Sequence, residues 1–350
     1  MEMGKESDAT AGTDRDPVTT LEQALALYMR LRKQLCEDNQ AREEQFAEVW
    51  CRGHDAVGFK LVPGIFRTEK GTFDEASMVH DFRILAPDNH HDHRTLFDWL
   101  CLMQHYDMPT RLLDWTENFL FALYFATSNT DLAGAHQEKS SSEPASASND
   151  LGEVFLLAPR RLNEITTPAT EPPGSRPEAG PRSRLYVPDS FHVAIRAALA
   201  RARNYSGWAR ELDTLEYFRS SLGAELYDRL RAVKLEETEI LKHLREPVAV
   251  RPNRFNRRLQ AQAGTFTLHG GKIYGRTERA VPIPHGDALP APVHLQDLEQ
   301  KPGARPFLRS FVIAKTRIRK QLAMLGIHRG TLFPELDGQA AFLKARWRHE

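Results

Sequence analysis

Apolar positions recur at helical spacing from Thr20 onward, with Leu21, Ala24, Leu25, Tyr28, Leu31 and Leu35 on one face, and a hydroxyl residue followed by Gln23 three positions later resembles a capping box. The spacing predicts an amphipathic helix. In QFAEVWCRG, Phe46, Val49 and Cys51 sit among polar neighbours, which predicts a strand leaving into a turn at Arg52-Gly53. LVPGIFR then reads as a turn with apolar anchors. Residues 72–85 place Ala76, Val79, Phe82 and Leu85 on one helical face ahead of Pro87. Residues 95–129 are the most apolar and aromatic stretch and predict the heart of the fold. A helix should run to about Tyr106 and stop at Pro109, because the residue before proline is pushed out of the α region. A second helix, after Asp114, is apolar all round from Phe119 to Ala126 and should be buried on most sides.

The remainder predicts a strand at GEVFLLAP, helices near 189–203, 208–227 and 234–244, and a short strand at 248–250. The basic stretch RPNRFNRRLQAQ follows, then an alternating strand at 264–270, a strand at LRSFVIA, a helix at TRIRKQLAMLG and a final helix after TLFPELDGQ. Residues 1–18 carry too little apolar content to offset chain entropy and read as a disordered lead. The Ser- and Ala-rich stretch 130–150 and the Pro-rich stretch 166–184 read as disordered insertions within one domain spanning 19–345. Strands and helices without regular alternation predict an α+β fold, a single mixed domain with a small sheet packed against a buried central helix.

Composition narrows the function classes. The chain has 350 residues, 41% hydrophobic, with Lys+Arg and Asp+Glu equal at 47 each. That balance excludes broad electrostatic capture of polyanions, which needs a surplus of basic residues. One small cationic pocket remains compatible with it. No stretch reaches the ~18 apolar residues of a membrane span. Cys36, Cys51 and Cys101 are too few for a disulfide framework and form no C-x-x-C pair. The polar N-terminus lacks the apolar core of a signal peptide, so a cytoplasmic protein is expected. No phosphate-binding loop, dinucleotide fingerprint or nucleophile elbow is present. The cluster Asn89, His90, His91, Asp92 and His93 is not assigned as a metal site, because neighbouring histidines on a polar loop point in different directions.

Candidate chemistry concentrates in WCRGHD at 50–55, QHYDMPTRLLDWTEN at 104–118 and NRRLQAQAGTFTLHG at 256–270. Asp114 with Glu117 three residues on has the form of an N-cap with its reciprocal carboxylate. Such a helix start would also offer free N–H groups to an anion. Arg111, in an apolar run, reads either as half of a buried ion pair or as a fork for phosphate or carboxylate.

These segments together resemble the FRG domain family, named for a Phe-Arg-Gly or Tyr-Arg-Gly motif. Gln104 to Thr116 resembles its middle signature, Ala122 to Ala126 its following helix, and RRLQAQAGTFTLH its late signature. The resemblance covers roughly residues 20–345. Departures include Cys51 before Arg-Gly, His54 for a usual Gln, Asp107 and Met108 for Gly and Leu, and Ala263 for a Gln. Asp107 should preserve the turn, since Asp tolerates the left-handed conformation a glycine would adopt. The family implies a bacterial or phage-related origin. The order of parts also resembles the plan of ADP-ribosyltransferases: an early Arg on a strand, a central hydroxyl segment leading into a helix, and a late Gln or Glu element. That resemblance implies NAD as a substrate rather than a bound cofactor, a small anionic nucleotide as ligand, and a protein or nucleic-acid acceptor. Across the readings considered, Arg52, His105, Arg111 and Asp114 are the candidate catalytic residues, and Gly53, His54, Gln104, Thr110, Thr116 and Gln262 the candidate ligand-binding ones. Because Gln262 has no acid beside it, Asp114 or Glu117 would supply the carboxylate. A different reading makes His54, His105 and Arg111 a metal-independent RNA-cleaving centre of a toxin or phage-defence effector. Arg251, Arg254, Arg257 and Arg258 would then track the backbone. A third makes the chain a non-catalytic binding module.

Overall fold

Helix α1, Leu21–Cys36, begins as the sequence predicts. The Gln23 N–H donates to Thr20 Oγ1 at 3.2 Å, and Gln23 Oε1 accepts from the Thr19 N–H at 3.0 Å, so two donors at the helix start are satisfied reciprocally. The protein is described here from a computed structural model covering residues 16–36, 48–67, 73, 75–86, 96–128, 150–166, 246–252, 257–269, 293–299 and 306–347. Most of the lead, nearly all of both insertions, the helices expected at 189–203, 208–227 and 234–244, the 89–93 cluster and Arg254 lie outside the described residues. Val18, within the expected lead, forms a parallel bridge to Ile313.

The remaining elements in chain order are β1 Trp50–His54, α2 Glu75–Leu85, α3 Leu96–His105, β2 Leu112–Thr116, α4 Phe119–Ala126, β3 Leu151–Leu157 and α5 Pro159–Thr166. They continue with β4 Val248–Val250, α6 Arg257–Ala261, β5 Gly264–Leu268, α7 Leu295–Glu299, β6 Leu308–Ala314, α8 Lys315–Met324, α9 Arg329–Leu332 and α10 Leu336–Arg346. The strands form one antiparallel sheet in the order β4-β5-β2-β1-β3-β6. This is the expected α+β architecture, since an antiparallel sheet needs no crossover helix between neighbouring strands.

Two apolar clusters lie across the sheet. Leu113, Trp115 and Ala249 belong to the larger, with α1, α4 and α8, while Leu112, Val248, Val250, Phe266 and Leu268 belong to the smaller, with Phe97, Leu100 and Met103 of α3. Alternate residues of β2 and β4 therefore enter opposite cores. Helix α4 lies tight on β1 and β3 because both strands carry glycine at the contact. A Cβ on Gly53 would overlap the Ala122 carbonyl oxygen and come within 2.5 Å of the Ala126 nitrogen, and one on Gly152 would overlap the Ala126 carbonyl.

Several expectations change. Strand β1 runs through Arg52 and Gly53 to His54 instead of turning there, because all five of its residues pair with β3. The segment 112–116 is a strand, so Asp114 is no helix cap; Asn118 caps α4, its Oδ1 accepting from the Leu120 N–H at 2.9 Å. Further donors at the start of α4 are occupied: Phe121 and Ala122 N–H go to the Asn118 carbonyl, and Asn118 N–H goes to Thr116 Oγ1. The α2 face is buried at Val79, but Leu85 is 80% exposed. The strand at 264–268 is buried at every residue instead of alternating with solvent, and Thr267 pairs inward with Trp115 and His269.

Candidate active site

The chain reaches the middle of the sheet twice with a charge. In β2 four residues are buried and Asp114 alone is exposed, at 55% of its side chain. Next to it, β1 and β2 share only the Cys51↔Thr116 pair, whereas β1 and β3 share five. Beyond that pair the Arg52 side chain takes over from the ladder, its Nη1 donating to the Asp114 carbonyl at 2.6 Å and standing 3.8 Å from Asp114 Oδ2. Arg52 is only 15% exposed, and its Nε is buried without a hydrogen-bond partner among the described residues. Burial pushes the Arg52 pKa down; the Asp114 carboxylate opposes that shift and the Arg67 charge adds to it.

The Asp114 carboxylate is held from α3. Gln104 Nε2 donates to Asp114 Oδ2 at 2.9 Å, Gln104 Oε1 accepts from Thr110 Oγ1 at 2.5 Å, and Thr110 Oγ1 in turn accepts from the Leu112 N–H at 3.2 Å. The turn that brings Gln104 and Thr110 together closes α3 with a Schellman motif. The Met108 N–H donates to the Met103 carbonyl at 3.0 Å and the Asp107 N–H to the Gln104 carbonyl at 3.1 Å, with Asp107 at φ 57°. Asp107 thus adopts the left-handed conformation expected of it.

Four of the residues singled out from the sequence, Arg52, Gln104, Thr110 and Asp114, meet at this point. Thr116 and Gln262 form an adjoining pair: Thr116 Oγ1 donates to the Gln262 carbonyl at 2.7 Å, while the Gln262 side chain donates to the Leu332 carbonyl at 3.1 Å. Arg111 flanks the site at the start of β2, its Nη1 3.4 Å from the His269 carbonyl. Gly53 faces α4, where its lack of a side chain serves packing. His54 lies on the Arg52 side of β1, stacked on Phe59 with centroids 3.8 Å apart and with its Nδ1 3.4 Å from Asp55 Oδ1. The adjacent His54 imidazole holds the Asp55 pKa below its ordinary value, against the opposing effect of burial. The His105 ring meets Tyr106 edge-on and its carbonyl accepts from Arg258 Nη1 at 3.2 Å.

Two arginines of the basic stretch are engaged. Arg251 pairs with both Glu48 and Glu117, the latter at 2.8 Å, and Arg258 stands 3.9 Å from Asp107 and over the Phe333 ring. Of the two carboxylates considered for chemistry, Glu117 is therefore committed to Arg251, whereas Asp114 is the more exposed. Cys51 is buried next to Arg52, and burial pushes its thiol pKa far up, which removes it as a nucleophile.

Two residues of this region were not singled out from the sequence. His269 is 2% exposed, its Nε2 lies 2.9 Å from Thr267 Oγ1, and Thr267 Oγ1 also accepts from Trp115 Nε1 at 3.0 Å. Burial, with the charges of His294, Arg52 and Arg111, pushes the His269 pKa down to about 3. The signal was present in Thr265, Thr267 and His269, which recur every second residue and so share a face of β5. Arg67 ends the apolar run LVPGIFR, its Nε donating to the Val62 carbonyl at 3.0 Å. Its segment packs on the Thr110 turn, where the Ile65 N–H donates to the Thr110 carbonyl at 3.3 Å.

Among the described residues no group of His, Cys, Asp and Glu has the arrangement to hold a metal ion, and no helix is long and apolar enough to cross a membrane. In comparisons with known proteins, residues 47–134 match the FRG domain, a span that includes β1, α3, β2 and α4 and thus Arg52, Gln104, Thr110 and Asp114. No curated protein and no solved structure matches the chain.

Proposed function

The chain carries an FRG domain, and from that premise we propose that its Arg52–Asp114 site binds an anionic nucleotide and acts on NAD as an ADP-ribosyltransferase does. One observation carries the reading. A half-exposed carboxylate sits in the middle of an otherwise buried central strand, 3.8 Å from a guanidinium whose buried Nε has no partner among the described residues. Burying a charged group with an unmet donor is costly unless a ligand completes it, and the nucleotide's phosphate would do so.

In this reading Arg52 holds the diphosphate, and Asp114, kept in place by Gln104 and Thr110, faces the ribose C1′. The bond from C1′ to the nicotinamide nitrogen breaks and the electron pair leaves with nicotinamide. The Asp114 carboxylate stabilises the cationic ribosyl centre until an acceptor oxygen or nitrogen, or water, attacks and gives up its proton. Support also comes from the order of strands: the elements bearing Arg52, Thr116 and the Gln262 turn are β1, β2 and β5, which are neighbours in the sheet. The test is calorimetric titration with NAD, followed by transfer of labelled ADP-ribose. Wild type should bind and turn over NAD, and Arg52→Lys should lose binding, since a point charge cannot replace a planar fork. Absence of both binding and turnover would discard the reading, and nucleotide binding without turnover would leave a binding module.

A further inference from the structure

An acceptor that attacks C1′ must shed a proton, and Asp114 is already engaged, its Oδ2 accepting from Gln104. His54 is a second titratable group on the same side of the sheet as Arg52. Gly53 turns toward α4, where an added Cβ would overlap the Ala122 carbonyl oxygen, so strand alternation sends Arg52 and His54 to the opposite face, about 7 Å apart along β1. The His54 ring is clamped there. Phe59 stacks on it with centroids 3.8 Å apart and planes 18° from parallel. A turn at Gly58, with φ 79°, precedes Phe59, and the Gly58 N–H donates at 3.0 Å to Oε2 of Glu153, the β3 residue paired with His54. The same segment runs on to Ile65, whose N–H donates to the Thr110 carbonyl at 3.3 Å, so it is tied at its far end to the turn that positions Gln104 and Asp114. At the edge of the ring, Nδ1 is buried and stands 3.4 Å from Asp55 Oδ1. Nε2 makes no hydrogen bond to any described residue, and 12% of the side chain stays exposed although Nδ1 is buried. A carboxylate beside Nδ1 favours the proton on that nitrogen and leaves the lone pair on Nε2. The 3.4 Å separation is long for a hydrogen bond, as catalytic contacts often are before a substrate binds.

We propose that His54 is the general base of this site and that Asp55 positions it. Once the C1′–N bond pair has left with nicotinamide, a lone pair of the acceptor oxygen or nitrogen forms the new bond to C1′. The acceptor's own O–H or N–H breaks, its electron pair stays on the acceptor atom, and the proton passes to His54 Nε2 and from there to solvent. The inference rests on the transferase reading for its substrate, but the pairing of His54 with Asp55 stands on geometry alone. A base placed in this way contributes ~10²–10⁴-fold to the rate.

The experiment compares wild type, His54→Gln and Asp55→Asn as full chains, each first melted to establish that it is folded. Exchange of labelled nicotinamide into NAD breaks and remakes the C1′–N bond with no acceptor to deprotonate. Release of nicotinamide in water needs a base, and release in the presence of azide does not, because azide attacks as an anion. His54→Gln should exchange nicotinamide as wild type does, lose about a hundredfold or more in water, and recover most of that loss with azide. Nitrogen-15 spectra, with the His54 signal assigned by its loss in His54→Gln, should show the neutral ring protonated on Nδ1 in wild type and shifted toward Nε2 in Asp55→Asn. Equal losses in exchange, water and azide, or hydrolysis at the wild-type rate in folded His54→Gln, would overturn the base. A wild-type ring protonated on Nε2, or a tautomer indifferent to Asp55, would overturn the pair. Wild type that neither exchanges nor releases nicotinamide discards the transferase reading instead. The spectra then decide the pair by themselves, the Nδ1–H form keeping it as a base for another proton donor and the Nε2–H form removing it.

Discussion

Acidification should isolate the contribution of one buried group, His269. In the fold its imidazole is neutral, because burial and the nearby charges of His294, Arg52 and Arg111 push its pKa from 6.5 down to about 3. The folded value lies below the unfolded one, so the two states bind equal numbers of protons well above pH 6.5. Below that, the unfolded chain takes up a proton that the fold refuses, and stability falls with each step of pH until the folded histidine itself titrates near 3. At ~1.36 kcal/mol per unit, the loss between pH 7 and pH 5 is about 2 kcal/mol from this residue alone. The assay is urea unfolding of wild type and His269→Gln across that range. Glutamine keeps a polar group near Thr267 but cannot titrate, so the absolute cost of the substitution cancels when only the pH slope is compared. Wild type should lose about 2 kcal/mol more than the variant on going to pH 5. Identical slopes for the two proteins would refute the reasoning, as would an imidazole that titrates near 6.5 in the folded protein.

Three further outcomes follow from the packing. Gly53→Ala should cost about 3 kcal/mol in urea unfolding, at the upper end for overpacking, because the added methyl meets the backbone of α4 rather than a movable side chain. Ala263, at φ 46° after α6, holds the left-handed position that Gly326 fills after α8. Ala263→Gly should therefore stabilise the protein by about 0.5–1 kcal/mol, read as a raised denaturation midpoint. Asn118→Ala removes the acceptor that caps α4 and should cost about 1 kcal/mol, with Thr116→Val affecting the same turn through the lost bond to the Asn118 N–H.

Hydrophobic pattern made many of the described elements legible: α1, α2 and α8 carry a helical period, and α4 shows itself as a continuous apolar run. Strand β2 was not legible for a physical reason. Its residues enter two different cores, so Leu112, Leu113 and Trp115 show no alternation, and the exposed Asp114 followed by Glu117 imitates a helix cap. Helix α5 was missed although Pro159 at its first position is a start signal. At the site, Arg52, Gln104, Thr110 and Asp114 could be found because the signature segments hold them. Their convergence is a product of register, which places Arg52 where β1 and β2 part. Arg67 and His269 were harder to read: one ends an apolar turn, and the other extends the alternation of Thr265 and Thr267 past the end of β5, so that only the folded chain shows the Arg67 charge acting on Arg52 and the Arg52 charge acting on His269.

The central claim is that Arg52 and Asp114 act as one site on NAD, and a double-mutant cycle on nicotinamide release tests it most directly. Wild type, Arg52→Gln, Asp114→Asn and the double variant would be compared at saturating NAD, each shown to be folded. If the two side chains work on the same bound nucleotide, each single variant should remove most of the activity and the double variant should lose little more than either. Losses that simply multiply, or release at the wild-type rate from either single variant, would contradict the account.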